Sequence, residues 1–157
     1  KFSIIPFTTH INPKDIYLNI KSNKITEFLK ILFKYLKRKD YGLNFKIIKF
    51  LCYNPHCSEN KTLGVEDNII TKVLLKFKVI LGPFPADSAF KNIKKNSLFI
   101  STYHDQALIP FKILNKKSFN LTLGLNYRRL SPAHGTGKDI KYKNKSDSSS
   151  YLACMEI

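Results

Sequence analysis

The 157-residue chain, 43% hydrophobic, is long enough to bury one respectable core and too apolar for a disordered segment. It holds no apolar run of about 18 residues, the length a membrane helix needs, and the opening KFSIIPFTTHINP lacks a signal-peptide core and a small-residue cleavage site. The net charge of +16 comes from 27 basic residues, but only Arg38, Arg128 and Arg129 are arginine, and lysines scattered among Ile and Asn read as a solvated surface, not a nucleic-acid footprint. A cytoplasmic protein that binds neither nucleic acid nor membrane is expected. Cys52, Cys57 and Cys154, odd in number and without a CxxC pair, argue against a disulfide framework and fit a reducing compartment.

In chain order, Phe2 to Thr9 is a short apolar run containing Pro6, which predicts an edge strand ending at His10. Because the chain opens with Lys1 inside this strand, a segment upstream is expected to be missing. Between Ser22 and Arg38, the residues Ile25, Phe28, Leu29, Leu32, Phe33 and Leu36 share one helical face, with Ser22 as predicted N-cap and Gly42 beyond the stop. Phe45 to Cys52 is rich in strand formers and breaks at Asn54-Pro55, so a second histidine, His56, follows a strand.

After Gly64 a helix is predicted from Ile69, Ile70, Val73, Leu74 and Phe77, with Glu66 and Asp67 in a first turn where the dipole favours acids. Val79 to Leu81 reads as a short strand, and Gly82 to Asp87 (GPFPAD) as a stiff loop that carries Asp87 to the sheet edge. Ser97 to Lys112 (SLFISTYHDQALIPFK) is a β-branched and aromatic run that ends abruptly in Tyr103, His104, Asp105 and Gln106. Phe119 to Leu125 alternates as a strand with Asn120 and Thr122 as its polar positions; Arg129 and His134-Gly135-Thr136 follow in a loop. Lys138 to Ser150 is a polar connector before a helical start at Tyr151 to Ile157. Strands alternating with helices predict an α/β fold with a mixed or mainly parallel sheet.

His10, His56 and His104 each close a predicted strand, and strands running the same way side by side bring their ends to one rim. Neutral imidazole is a common ligand of zinc and other divalent transition metals, and ligands spaced this widely suit a catalytic site better than a local finger. The plainer reading of any one such histidine is a solvated or satisfied residue; Asp87 and Asp105 read equally as turn or cap residues, and Lys112 and Arg129 as surface cations or anion binders.

TTH (Thr8 to His10), NPH followed by Glu59, GPFPAD, YHDQ (Tyr103 to Gln106), NLTLGL (Asn120 to Leu125) and HGT (His134 to Thr136) together, in this order, resemble the 4-hydroxythreonine-4-phosphate dehydrogenase family of vitamin B6 biosynthesis. The resemblance implies homodimers with the active site in a cleft, each subunit having two α/β/α domains like those of isocitrate and isopropylmalate dehydrogenases. It implies a divalent metal, zinc first, with magnesium, manganese or cobalt as alternatives, held by His10, His56 and His104, the last supplied across the dimer interface. Asp87, Asp105, Lys112, Asn120 and Arg129 match substrate-contacting positions, with Asp105 and Lys112 as the expected catalytic groups. His134, Gly135 and Thr136 match a loop facing NAD or NADP.

The implied reaction is NAD-dependent oxidation of 4-hydroxythreonine 4-phosphate at its hydroxyl, followed by loss of carbon dioxide. Residues 1–137 are expected to form the metal-binding and dimerisation domain, and 138–157 a connector and helix returning to a first domain absent here, so that the chain alone is a poor catalyst. The chain departs from the family at Cys57 to Lys61, where the loop is normally small and glycine-rich, at Ala107 in place of a glycine, and at Ala133 in place of an aspartate. Two further readings are a paralogue acting on another phosphorylated four-carbon hydroxy acid and a non-catalytic metal-binding or dimerisation remnant.

Overall fold

The computed structural model describes residues 2–115, 117–133 and 137–156. The expected cofactor loop His134-Gly135-Thr136 lies outside the described residues. By packing, the chain divides into two compact units, Lys1–Phe111 and Lys112–Ile157.

In the first unit, strands β1 (Phe2–Pro6), β2 (Ile47–Leu51), β3 (Ile80–Phe84) and β4 (Ser97–Ser101) form a sheet of order β1-β4-β2-β3. Every pairing in it is parallel. Parallel neighbours need crossover connections, and α1 (Ser22–Leu36), α2 (Glu66–Leu74) and α3 (Ala86–Ala89) lie in the three crossovers. β4 is hydrogen-bonded on both sides, with Phe99 opposite Ile4 and Lys49, and all its residues are buried. Pro6 and Pro83 stand on the edge strands β1 and β3, where a missing N–H is tolerated.

The period-2 alternation of the strands divides the core between two faces. On one, Leu51, Phe99 and Ala89 of α3 gather Phe2, Ile4, Phe84, Phe90 and Ile93, with Phe2 edge-on to Phe99 at 5.7 Å. On the other, Ile48, Phe50, Leu98 and Ile100 are buried, as are Ile25, Leu29 and Leu32 of α1 and Ile70 and Val73 of α2. α1 packs on α2, and α2 on β3. Each fully buried large side chain here contributes roughly 1.5–3 kcal/mol relative to exposure.

The second unit holds the antiparallel pair β5 (Phe119–Thr122) and β6 (Arg129–Pro132), with α5 (Ser149–Met155) packed on both. The antiparallel pairing expected within a mixed sheet is thus confined to a separate sheet, and Arg129, expected in a loop, opens β6. Three local expectations are also corrected. Lys21 is the N-cap of α1 and makes no side-chain cap bond, so Ser22 is instead the first helical residue. Gly82 to Phe84 belong to β3, not to the loop. The polar end after β4 runs directly into helix α4 (His104–Leu114), despite Pro110 within it. No helix among the described residues is long and apolar enough to cross a membrane.

Candidate metal centre

Because β1, β4, β2 and β3 run the same way, their carboxyl ends share one rim, where ligands of open α/β sheets bind. Beyond β1 the backbone stays tied to the segment after β4. Phe7 N donates to Ser101 O (2.7 Å), while Thr8 N (3.2 Å) and Thr8 Oγ1 (2.7 Å) both donate to Thr102 O. Thr8 is buried, so this clamp is dry and holds the next residues in register. His10 follows with φ 51°.

That clamp brings the first and third strand-closing histidines together. The His10 and His104 ring centroids are 5.5 Å apart with planes at 87°. They line a cavity of ≈ 320 Å³ with Thr8, Thr9, Tyr103 and Asp105. His104 Nδ1 lies 2.7 Å from Asp105 Oδ1. A carboxylate accepts, so Nδ1 carries the hydrogen, and in the neutral ring Nε2 then keeps its lone pair, the arrangement in which an outer carboxylate orients a metal-ligating histidine. Burial, and then the Asp105 charge, pushes the Tyr103 phenol up, so it remains a neutral donor at this wall.

The 5.5 Å spacing falls in the range for two imidazoles on one divalent ion. With M–N bonds of about 2.1 Å, two imidazoles on one tetrahedral ion have ring centroids roughly 5–5.5 Å apart. Among the described residues no group of three His, Cys, Asp or Glu side chains is close enough to hold an ion. His56 is exposed, and His104, expected to join the histidines of a second subunit, neighbours His10 of its own chain.

His56 stands in an unusual turn. From His56 to Lys61, six consecutive residues have positive φ, between 40° and 79°, with no glycine among them. For L-residues each such position costs roughly 1–2 kcal/mol, so the turn persists only where its surroundings hold it. The buried Asp67 of α2 does so: Oδ1 accepts from Tyr53 N (2.6 Å), and Oδ2 from Asn54 N (3.1 Å) and Ser58 Oγ (2.6 Å). Asn54 Nδ2 donates in turn to Ser58 Oγ (3.0 Å) and Glu66 Oε2 (2.9 Å). Gly64, at φ 142°, leaves room for that bond, since a Cβ there would overlap Glu66 Oε2.

Gln106 links the ends of β4 and β2. Its Oε1 accepts from Thr102 N (2.8 Å) and Thr102 Oγ1 (3.0 Å), and its Nε2 donates to Cys52 O (2.7 Å). Cys57 carries a thiol pushed up to about 12, by burial first and then by the Cys52 thiol. It is no ready thiolate ligand.

Asp87 is exposed in the first turn of α3, after β3. Lys112, Asn120 and Arg129 belong to the second unit: Lys112 is exposed in the last turn of α4, Asn120 is exposed on β5, and Arg129 Nη1 donates to Thr122 Oγ1 (3.1 Å). Sequence reasoning assigned no site role to Thr8, Asp67 or Gln106. Thr8 and Gln106 lie inside the TTH and YHDQ motifs, which was a usable signal; Asp67 has none beyond its place in a helix's first turn.

A family model described as pyridoxal phosphate biosynthetic protein PdxA matches residues 1–157. The chain belongs to the PdxA family. Among curated PdxA-family relatives, it is 37% identical over 163 residues to 4-hydroxythreonine-4-phosphate dehydrogenase of Sulfurihydrogenibium sp. (strain YO3AOP1), covering 100% of this chain and 50% of that protein. It is 39% identical over 151 residues to the Hydrogenobaculum sp. (strain Y04AAS1) enzyme of the same name, covering 94% and 48%. The crystal structure of 4-hydroxythreonine-4-phosphate dehydrogenase from Klebsiella pneumoniae superposes with a TM-score of 0.75 at 27% identity, covering 98% of this chain and 48% of that one. The chain thus spans about half the length of the PdxA relatives it matches.

Proposed function

We propose that the chain contributes the metal-binding half of a cytoplasmic 4-hydroxythreonine-4-phosphate dehydrogenase that oxidises the substrate hydroxyl with NAD or NADP and promotes loss of carbon dioxide from the keto acid. The observation that carries the reading is the family match along residues 1–157. The pairing of His10 with His104 at the rim supports it. His10, His56 and His104 are the residues that would hold a divalent ion, zinc first; with His10 and His104 side by side in one chain, a second copy would supply a further ligand and not separate these two. Such an ion favours deprotonation of a bound hydroxyl and stabilises negative charge developing next to it.

The chain's own residues have separable tasks. Asp105 fixes the His104 tautomer, so that the imidazole presents Nε2 without rotating. Lys112 and Arg129 are the proposed binders of the substrate's phosphate and carboxylate, with Arg129 suited to two parallel hydrogen bonds. Asp87 and Asn120 are proposed to orient the amino and hydroxyl groups, leaving Asp105 and Lys112 as the groups that hold or move a proton. His134, Gly135 and Thr136 are carried over as contacts of the nicotinamide cofactor, which supplies the hydride acceptor.

The test mixes the purified chain with Zn2+, NAD and 4-hydroxythreonine 4-phosphate, alone and with a polypeptide covering the other half of a relative, and follows NADH absorbance. Activity is expected only in the complemented mixture and is expected to vanish with His104→Ala. Complemented activity unchanged by His104→Ala overturns the metal assignment, and full activity of the chain alone overturns its role as half of a site.

A further inference from the structure

The turn carrying His56 poses a physical problem. Six residues in a row, from His56 to Lys61, adopt the left-handed conformation without glycine, which side chains resist. Nothing in their local sequence favours it beyond Asn60, so longer-range contacts must impose the geometry. Those contacts converge on one carboxylate. Asp67, 3% exposed, accepts hydrogen bonds from Tyr53 N, Asn54 N and Ser58 Oγ, which flank His56 on both sides.

Among the described residues no cation pairs with Asp67. Its charge is met by two backbone N–H groups, one hydroxyl and its place in the first turn of α2. Loss of one acceptor oxygen would leave the Asn54 N–H and the Ser58 hydroxyl without a partner in a mostly buried setting, and the turn would relax toward right-handed or extended backbone. A rearrangement of that kind moves the Cα of His56 itself. The imidazole would be lost from its station although Asp67 bonds only to the residues on either side of it.

We propose that Asp67 is a positioning residue that holds His56 ready for the metal by clamping a left-handed turn, with Ser58 as its intermediary. This rests on the reading of His56 as a ligand. The mechanism explains how six consecutive residues hold the left-handed conformation without a glycine among them: an anionic clamp enforces a conformation that glycine would adopt freely.

The experiment titrates the full chain with Co2+ and follows its visible ligand-field bands, comparing parent, Asp67→Asn, Ser58→Ala, and Asp67→Asn combined with Asn60→Gly and Lys61→Gly. Far-UV circular dichroism checks that each variant is folded. Asp67→Asn is expected to weaken Co2+ binding by about 10- to 100-fold, as loss of an outer-shell partner does. Ser58→Ala should weaken it less, and the two glycines should restore most of the affinity, because they remove the need for a clamp. A residue needed only for stability would not be bypassed in that way. If the parent binds Co2+ and both Asp67→Asn and Ser58→Ala bind it equally well, the positioning role is wrong while the metal reading survives. If the parent binds no Co2+, or if His56→Ala, titrated beside the others, leaves the parent's affinity intact, the ligand reading fails and the proposal falls with it.

Discussion

Lys61 stands at φ 79°, exposed, at the end of the left-handed run that begins at His56. Replacing it with glycine removes a left-handed penalty of about 1–2 kcal/mol for an L-residue. Glycine also gives the unfolded chain extra conformational freedom, which takes back roughly 0.5–1 kcal/mol. Lys61→Gly is therefore expected to stabilise the chain by about 0.5–1 kcal/mol, a rise of roughly 1–4 °C in Tm for a protein of this size. The control is Lys30→Gly, an exposed lysine in the interior of α1, where glycine costs about 1 kcal/mol and Tm should fall. Thermal unfolding of both variants, followed by circular dichroism at one protein concentration, decides the matter. Two substitutions of the same residue type with opposite signs cannot arise from charge removal alone. If both lower Tm by similar amounts, the turn is not strained in the way its dihedral angles imply.

Gly82→Ala is expected to cost more than about 2 kcal/mol, since its φ of 130° excludes a side chain and a Cβ would lie 2.5 Å from Phe50 O; urea midpoints check it. Gln106→Leu strips partners from Thr102 N, Thr102 Oγ1 and Cys52 O, so a loss of roughly 2–5 kcal/mol is expected in the same assay, with the denaturant slope unchanged. Burial and the Cys52 thiol push Cys57 up to about 12 from its ordinary 9.0. Between those values the unfolded chain has released a proton that the folded chain keeps, so this thiol's contribution to stability falls as pH rises from about 9. Cys57→Ala should flatten that fall relative to the parent, and iodoacetamide at pH 8 should alkylate Cys57 far more slowly in the folded chain than in urea.

The parts of the fold written in local periodicity were legible. The stripe Ile25, Leu29, Leu32 specifies α1 within two residues of its observed end, and runs such as FKIIKFLC and SLFIS mark strands through β-branched and aromatic content. What escaped lacks a local signal. Arg129–Pro132 is too short to alternate, so it passed for loop until its pairing with β5 is seen. No helix is read after the polar end of β4, where α4 holds Pro110 one turn from its end. The left-handed turn escaped because glycine, its usual marker, is absent.

The candidate site divides along the same line. His10 and His104 were legible because each closes a strand, and parallel pairing of β1 with β4 turns that coincidence of sequence into a 5.5 Å neighbourhood. The groups that hold the rim act across 13 and 14 residues for Asp67, 54 for the Gln106 bond to Cys52, and 94 for Thr8 to Thr102. No periodicity spans such separations. Asp67 was readable only as a first-turn acid, and that reading is correct but incomplete, because the helix that the acid opens also sets its height beside the NPH turn. A side chain that suits its own helix needs no further explanation from sequence, which is how a second task at the neighbouring turn stays hidden until the backbone brings the two together.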